Sequence, residues 1–303
     1  MMDFRELQYI VSIAKQQNIT RASEELFVSQ PTLSKFVQNL EKKLGQPLFR
    51  RLGNKFFLTY AGERYVEKAK AMLGIKKDLD KELADILKEN IGELKIAFPI
   101  MRGTYMLPCT LPVFRKEFPG VRVSVTEANS AVLEEMILNG EIDLAFFTLP
   151  IRRPDISYDI IKEEEVVLVM NASHPLAGAG IDKAGCKYPW MDMEKVKDEP
   201  FIIQRLDQRT RHISDQIFRD ANIKPHIVLE IRNILASVEL AAGGCGITFV
   251  SETHLRHIAL KEKPACFSVG DPKTMTNFVA AYYRGVYLPH YAQRYIRIVK
   301  DFT

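Results

Sequence analysis

The spacing of apolar residues changes once along this chain, and that change limits what the chain can fold into. Through residue 88 they recur three and four positions apart, the repeat of helices. From Glu93 onward, short β-branched and aromatic runs alternate with helical stretches. At 303 residues the chain has room for two or three domains. The change of period predicts where they divide: 1–59 and 60–88 on one side, 92–303 on the other.

Charge divides at nearly the same place. The net charge is +4, from 42 basic and 38 acidic residues. Residues 1–62 hold nine of the basic and five of the acidic residues, so the whole excess lies there and the remainder is neutral. A basic head on a neutral body suits a protein that meets a polyanion with one end. No run of about 18 apolar residues exists, so no membrane-spanning helix and no membrane partner are expected. Met1-Met2-Asp3-Phe4 lacks the apolar core of a secretory signal. Cys109, Cys186, Cys245 and Cys266 are widely spaced and form no C-x-x-C pair. Neither a disulfide framework nor a zinc site is expected, and a cytoplasmic setting follows.

Within the head, Leu7, Ile10, Val11 and Ala14 mark a first helix. Thr20 can cap a second over 21–27. Ser29 or Gln30 lies at the cap of a third, in which Pro31 is tolerated because its missing N–H falls in the first turn. Leu33, Phe36 or Val37, Leu40 and Leu44 form its buried side, and Gly45 suits the left-handed position that ends it. Two helices joined by a tight turn read as a helix-turn-helix, which lays its second helix in the DNA major groove. Gln30, Thr32, Ser34, Lys35 and Gln38 occupy the open face. Gln can bond adenine and Lys can reach guanine or phosphate. Around Gly53-Asn54, residues 48–51 and 55–58 alternate into a short β-ribbon. It is a candidate wing, with Arg50, Arg51 and Lys55 placed for phosphate or the minor groove.

Thr59 can cap a long helix over about 60–88. Tyr65, Met72, Leu79 and Ile86 repeat every seven residues, with Ala69, Ile75 and Leu83 between them. That apolar seam predicts a two-stranded coiled coil between protomers. The alternative is packing against the chain's own C-terminal part. Asn90-Ile91-Gly92 then closes the helix.

In the body, repeated β-α-β order predicts a mostly parallel sheet covered by helices. Two α/β lobes, about 92–161 with 268–303 and about 162–267, would be joined by strands crossing near 160–165 and 266–270. Such lobes leave a cleft where small anions favour helix N-termini and strand carboxyl ends. The body carries no G-x-S-x-G, P-loop or H-E-x-x-H, so no catalytic constellation and no cofactor are expected. His254 and His257 read as a surface pair, and Gly243-Gly244-Cys245-Gly246 as a helix-to-strand turn.

Ala22, Leu26, Ser29-Gln30-Pro31-Thr32-Leu33-Ser34, Leu40-Glu41, Leu44-Gly45, Leu48-Phe49, Arg51, Leu58-Thr59 and Gly62 together resemble the winged helix-turn-helix of the LysR-type transcriptional regulators. Leu107-Pro108, Phe118-Pro119, Ile142-Asp143-Leu144-Ala145 and Ala242-Gly243-Gly244-Cys245-Gly246-Ile247 resemble that family's effector domain, itself similar to type 2 periplasmic binding proteins. The resemblance implies a bacterial regulator bound to an inverted repeat in double-stranded promoter DNA, and a homodimer through the linker helix that pairs into a homotetramer. RNA polymerase would be a further partner at the promoter. It implies DNA contact by Gln30, Pro31, Thr32, Ser34 and Lys35. It further implies an effector pocket lined by Ile100, Met101, Arg102, Asn129, Ser130, Thr148, Gln204, Arg205 and Thr248. Pro99-Ile100-Met101 departs from the Ser or Thr common in the family's first loop. Arg102, Arg205, Arg209 and Arg211 point to a carboxylate-bearing effector, since guanidinium and carboxylate pair in a fork. The competing reading is a solute-binding protein or α/β enzyme with a basic appendage.

Overall fold

The computed structural model describes residues 3–53, 55–87, 90–151 and 153–303. Met1, Met2, Asn54 of the predicted ribbon turn and Lys88 at the predicted linker end lie outside them. The chain forms two compact units, Met1–Lys88 and Glu89–Thr303.

In the first unit, Asp3 and Glu6 form a reciprocal capping box that starts α1 (Phe4–Gln16). The second helix, α2, runs Ile19–Glu25, two residues earlier than expected. Its cap is Asn18, whose side chain accepts from the N–H groups of Thr20 and Arg21 at 2.9 and 3.1 Å. Asn outranks Thr at this position, which explains the shift. Phe27, expected inside that helix, instead sits in the turn at φ 53°. Ser29 caps α3 (Gln30–Leu44), and Gly45 ends it at φ 69°. Strands β1 (Phe49–Leu52) and β2 (Lys55–Leu58) pair antiparallel, with Phe49 opposite Leu58.

Thr59 caps α4 (Tyr60–Ile86) and accepts from the Gly62 N–H at 3.0 Å. Gly62 is required here: a Cβ would lie 2.0 Å from the Leu48 carbonyl oxygen. The early part of α4 belongs to the head, since Val66 joins Ile10, Ile13, Leu33, Val37 and Phe56 in one core and Ala69 is buried as well. The rest of its apolar stripe, Met72, Ile75, Leu79 and Leu83, stays exposed. Gly92, expected in the closing turn, is the first residue of a strand.

The second unit opens with β3 (Gly92–Phe98), α5 (Ile100–Glu117), β4 (Val121–Glu127), α6 (Ser130–Leu138) and β5 (Leu144–Thr148). Helix α5 starts five residues before its expected first residue, Tyr105, because Pro99 holds φ −62° and the helix begins immediately after it. The pocket segment expected as a loop is therefore a first helical turn. Strand β6 (Ile156–Met170) is 15 residues long. After it come β7 (Pro200–Gln204), α7 (Arg209–Asp220), β8 (His226–Ile231), α8 (Ile234–Ala242), β9 (Thr248–Ser251), α9 (Glu252–His257), β10 (Ala265–Ser268), β11 (Thr274–Tyr283) and α10 (His290–Phe302).

The sheet is mixed, not mostly parallel. Strand β3 runs parallel to β4 and β5, but β11 runs antiparallel to β5 and β6, as do β9 and β10 to β6. A chain that leaves one lobe and returns must cross in opposite directions, so its two crossing strands oppose each other. The return crossing is β11, where Thr274 faces Val166 and Tyr283 faces Ile156, rather than residues 266–270. The central strands of each lobe are buried on both faces. In the first lobe, Ile96, Phe98 and Phe146 meet α5 and α10, while Ala97 and Phe147 meet α6. That is why β5 reads as an unbroken apolar run.

Candidate DNA-binding face and effector cleft

Helix α3 divides its residues cleanly. Leu33 and Val37 are buried, while Gln30, Pro31, Thr32, Lys35 and Gln38 are exposed and Ser34 is half-buried. The Ser29 and Thr32 hydroxyls bond each other at 2.7 Å, fixing the first turn. The wing is tied to this helix by Glu41, which accepts from the Leu48 and Phe49 N–H groups at 2.7 and 2.9 Å. Arg50, Arg51 and Lys55 are exposed on the ribbon. The Arg51 guanidinium lies 4.7 Å from the centre of the Phe56 ring, so the wing's cation is braced from below. Phe27, 95% exposed beside the start of α3, belongs to the same surface. Nothing in its helical spacing had singled it out.

The second unit places its expected residues less simply. Ile100 is exposed and Met101 half-buried at the start of α5. Asn129 caps α6, accepting from the Val132 N–H at 2.9 Å, and Ser130 is buried beside it. Thr148 ends β5. These groups follow the carboxyl ends of three adjacent strands, β4, β3 and β5. Across the cleft, Gln204 ends β7 and its side-chain amide donates to Ser237 at 3.1 Å, leaving Oε1 without a partner. Thr248 is buried with its hydroxyl likewise unpaired, and Arg205 is exposed. Thr148 also lines an enclosed space of about 10 Å³ with Thr210, Ser251, His254 and Thr276. Thr210 Oγ1 and His254 Nδ1 have no hydrogen-bonding partner there.

Arg102 does not present itself to the cleft. It is 2% exposed and makes a two-pronged pair with the fully buried Glu164 of β6, at 2.7 and 2.6 Å. It also donates to the Tyr105 hydroxyl at 3.0 Å and lies 4.2 Å over the Phe278 ring. Ser251 donates to the same carboxylate at 2.8 Å. Burial pushes the Glu164 carboxyl up, but the charge of Arg102 and the hydrogen bonds outweigh it and hold it at about 2. Arg211 is likewise engaged, by Asp215 and Glu230, both at 2.8 Å, and Arg209 by Glu134. Of the four arginines, Arg205 is the one without an ion-pair partner among the described residues.

His254 and His257 are not a surface pair. His254 is buried, and both rings contact Tyr105, His257 by stacking at 4.4 Å. They clasp α9 of the second lobe to α5 of the first. Burial and the charge of Arg102 lower His254 to about 3, so it is neutral near pH 7. Sequence missed this because the partner, Tyr105, is about 150 positions away. No group of three metal-ligating side chains occurs among the described residues.

A ligand-sized cleft of about 460 Å³ opens between the lobes, bounded by Ala131, Glu134, Glu135, Arg153, Leu206, Asp207, Arg209 and His212. It lies next in sequence to Ser130 and Arg205 but is lined by none of the expected pocket residues.

Family models fit nearly the whole chain. The LysR substrate binding domain matches residues 88–303, and the bacterial regulatory helix-turn-helix protein, lysR family, matches residues 4–63. The chain belongs to the LysR family. This regulator is 29% identical over 246 residues to the HTH-type transcriptional activator CmpR of Synechocystis, covering 81% of this chain and 78% of that one. Its fold matches a full-length OxyR variant from Pseudomonas aeruginosa with TM-score 0.76 at 23% identity, over 99% and 94% of the two chains. Full-length CbnR, in complex with its target DNA, matches with TM-score 0.61 at 22% identity, over all of both chains. This member of the family is thus a DNA-binding transcription regulator with an effector-binding domain. No helix among the described residues is long and apolar enough to cross a membrane.

Proposed function

We propose that α3 enters the major groove with Gln30, Pro31, Thr32, Ser34, Lys35 and Gln38, while Arg50, Arg51 and Lys55 hold the flanking backbone. One observation carries this reading: Gln30, Pro31, Thr32, Lys35 and Gln38 of α3 are exposed while Leu33 and Val37 on its other face are sealed in the core. The exposed stripe Met72, Ile75, Leu79 and Leu83 pairs two protomers through α4, and two dimers form the tetramer. The protein works in the cytoplasm by recognition rather than catalysis.

An effector bearing a carboxylate binds between the lobes of the second unit. Ile100, Met101, Asn129, Ser130 and Thr148 serve one wall, and Gln204, Arg205 and Thr248 the other. Arg102 acts through Glu164 as a positioning residue. Binding that favours one lobe arrangement shifts the DNA-bound forms.

A gel-shift with DNA from just upstream of the regulator's own gene tests the first half. A shift that weakens steeply with salt is expected, because phosphate contacts release counterions. Failure of the folded protein to shift any such fragment at low salt would overturn it. Footprinting with and without small carboxylates tests the second half.

A further inference from the structure

The charged cleft of about 460 Å³ has the size of a small-molecule site, yet its walls carry both signs of charge. Acids Glu134, Glu135 and Asp207 face the bases Arg153 and Arg209, with His212 beside them. Glu135 pairs with Arg153 at the rim of the first lobe, and Asp207 pairs with Arg232 at 3.0 Å in the second. The third pair joins the lobes: Glu134 of α6 bonds Arg209 in the first turn of α7. Its side chains are only 6% and 12% exposed, against about half for the rim pair. Gln208, which precedes α7, makes no side-chain cap bond, so that first turn is open to an added carboxylate.

We propose that this cleft binds a zwitterion of the α-amino-acid class, which exchanges its own ammonium and carboxylate for the two halves of the Glu134–Arg209 latch. A bare carboxylate entering beside Arg209 would strand Glu134, a buried anion without its cation. A bare amine would strand Arg209 in the same way, and burial already disfavours the charge of that arginine. A molecule carrying both charges leaves neither group unpaired. The exchange also uncouples α6 from α7, the contact that holds the lobes together at this edge. The inference rests on the reading that an effector binds between the lobes; it concerns the cleft that adjoins Ser130 and Arg205 and assigns the ligand there both of its charges.

The test uses full-length protein and the twenty common L-amino acids, each with its deaminated acid and decarboxylated amine. Melting temperature and calorimetric affinity are read. At least one amino acid is expected to raise the melting temperature and to bind at least about tenfold more tightly than both of its truncated analogues. Glu134→Gln should erase most of that preference. Arg153→Gln at the exposed rim should weaken binding less, and circular dichroism of both variants checks their folding. Equal binding of the deaminated acid would overturn the zwitterion assignment while keeping the effector reading. So would binding of amino acids unaltered in Glu134→Gln protein that is folded. If no amino acid, acid or amine moves the melting temperature or the DNA footprint, both fall.

Discussion

The two units put their charged residues to opposite uses. In the head, Lys35, Arg50, Arg51 and Lys55 are exposed, and their role follows from having no carboxylate partner among the described residues. In the body, Arg102, Arg209 and Arg211 are satisfied by the protein's own carboxylates. Outward cations define a surface for a polyanion. Inward ones define a mechanical joint, because a buried pair is tolerated only where its geometry is held from several sides. A count of arginines therefore says much about the first unit and little about the second.

The largest effect should come from breaking that joint. Arg102→Ala leaves Glu164 buried without its cation, and the expected cost is about 3–5 kcal/mol, read from urea unfolding of the full chain. A cost within about 0.5 kcal/mol of zero, the range of ordinary surface substitutions, would mean the joint is dispensable.

Acid should then weaken the second unit. The unfolded chain protonates His254 near 6.5, whereas the folded chain resists until about 3, so stability falls as pH drops through that interval. Glu164 adds a second loss between 4.5 and about 2, where the unfolded carboxyl takes up a proton and the folded one does not. The slope approaches about 1.4 kcal/mol per pH unit for each group. His254→Gln should flatten the upper limb alone in a pH series of denaturation midpoints. An unchanged upper limb would remove His254 from the interlobe clasp.

On the head, Lys35→Ala should cost about 1–3 kcal/mol on specific DNA if the ammonium reaches a base edge. Equal losses on specific and random DNA, by competition gel-shift, would place it on phosphate instead. Either outcome sharpens the contrast, because the body's stability should not change.

How much of this was legible in the sequence follows the same line. The helix-turn-helix, the wing and the long helix are local structures, and Ser29, Gly45, Thr59 and Gly62 announce their ends within a few residues of where they act. The order of elements in the body was readable as well. Its sheet direction was not, because whether a strand returns parallel or antiparallel is decided by β11, more than a hundred residues after β6 begins. The site suffered most. Glu164 for Arg102, Glu134 for Arg209 and Tyr105 for the histidines are partners at separations of 62, 75 and about 150 positions, and no spacing rule connects them.

Even locally, one misreading is instructive and gives the smallest effect. Thr20 looks like the cap of α2, since a hydroxyl before an apolar-spaced run is a good start signal. Asn18 takes the role because its carbonyl reaches two N–H groups at once, while Thr20 already lies in the first turn. Asn18→Ala should therefore cost about 1 kcal/mol of head stability, and Thr20→Ala only a few tenths. The reverse order, measured by thermal unfolding, would restore Thr20 as the cap and move the start of α2. It would also alter the approach of α2 to α1 that Glu25 now fixes through Ser12 at 2.7 Å and Lys15 at 3.5 Å.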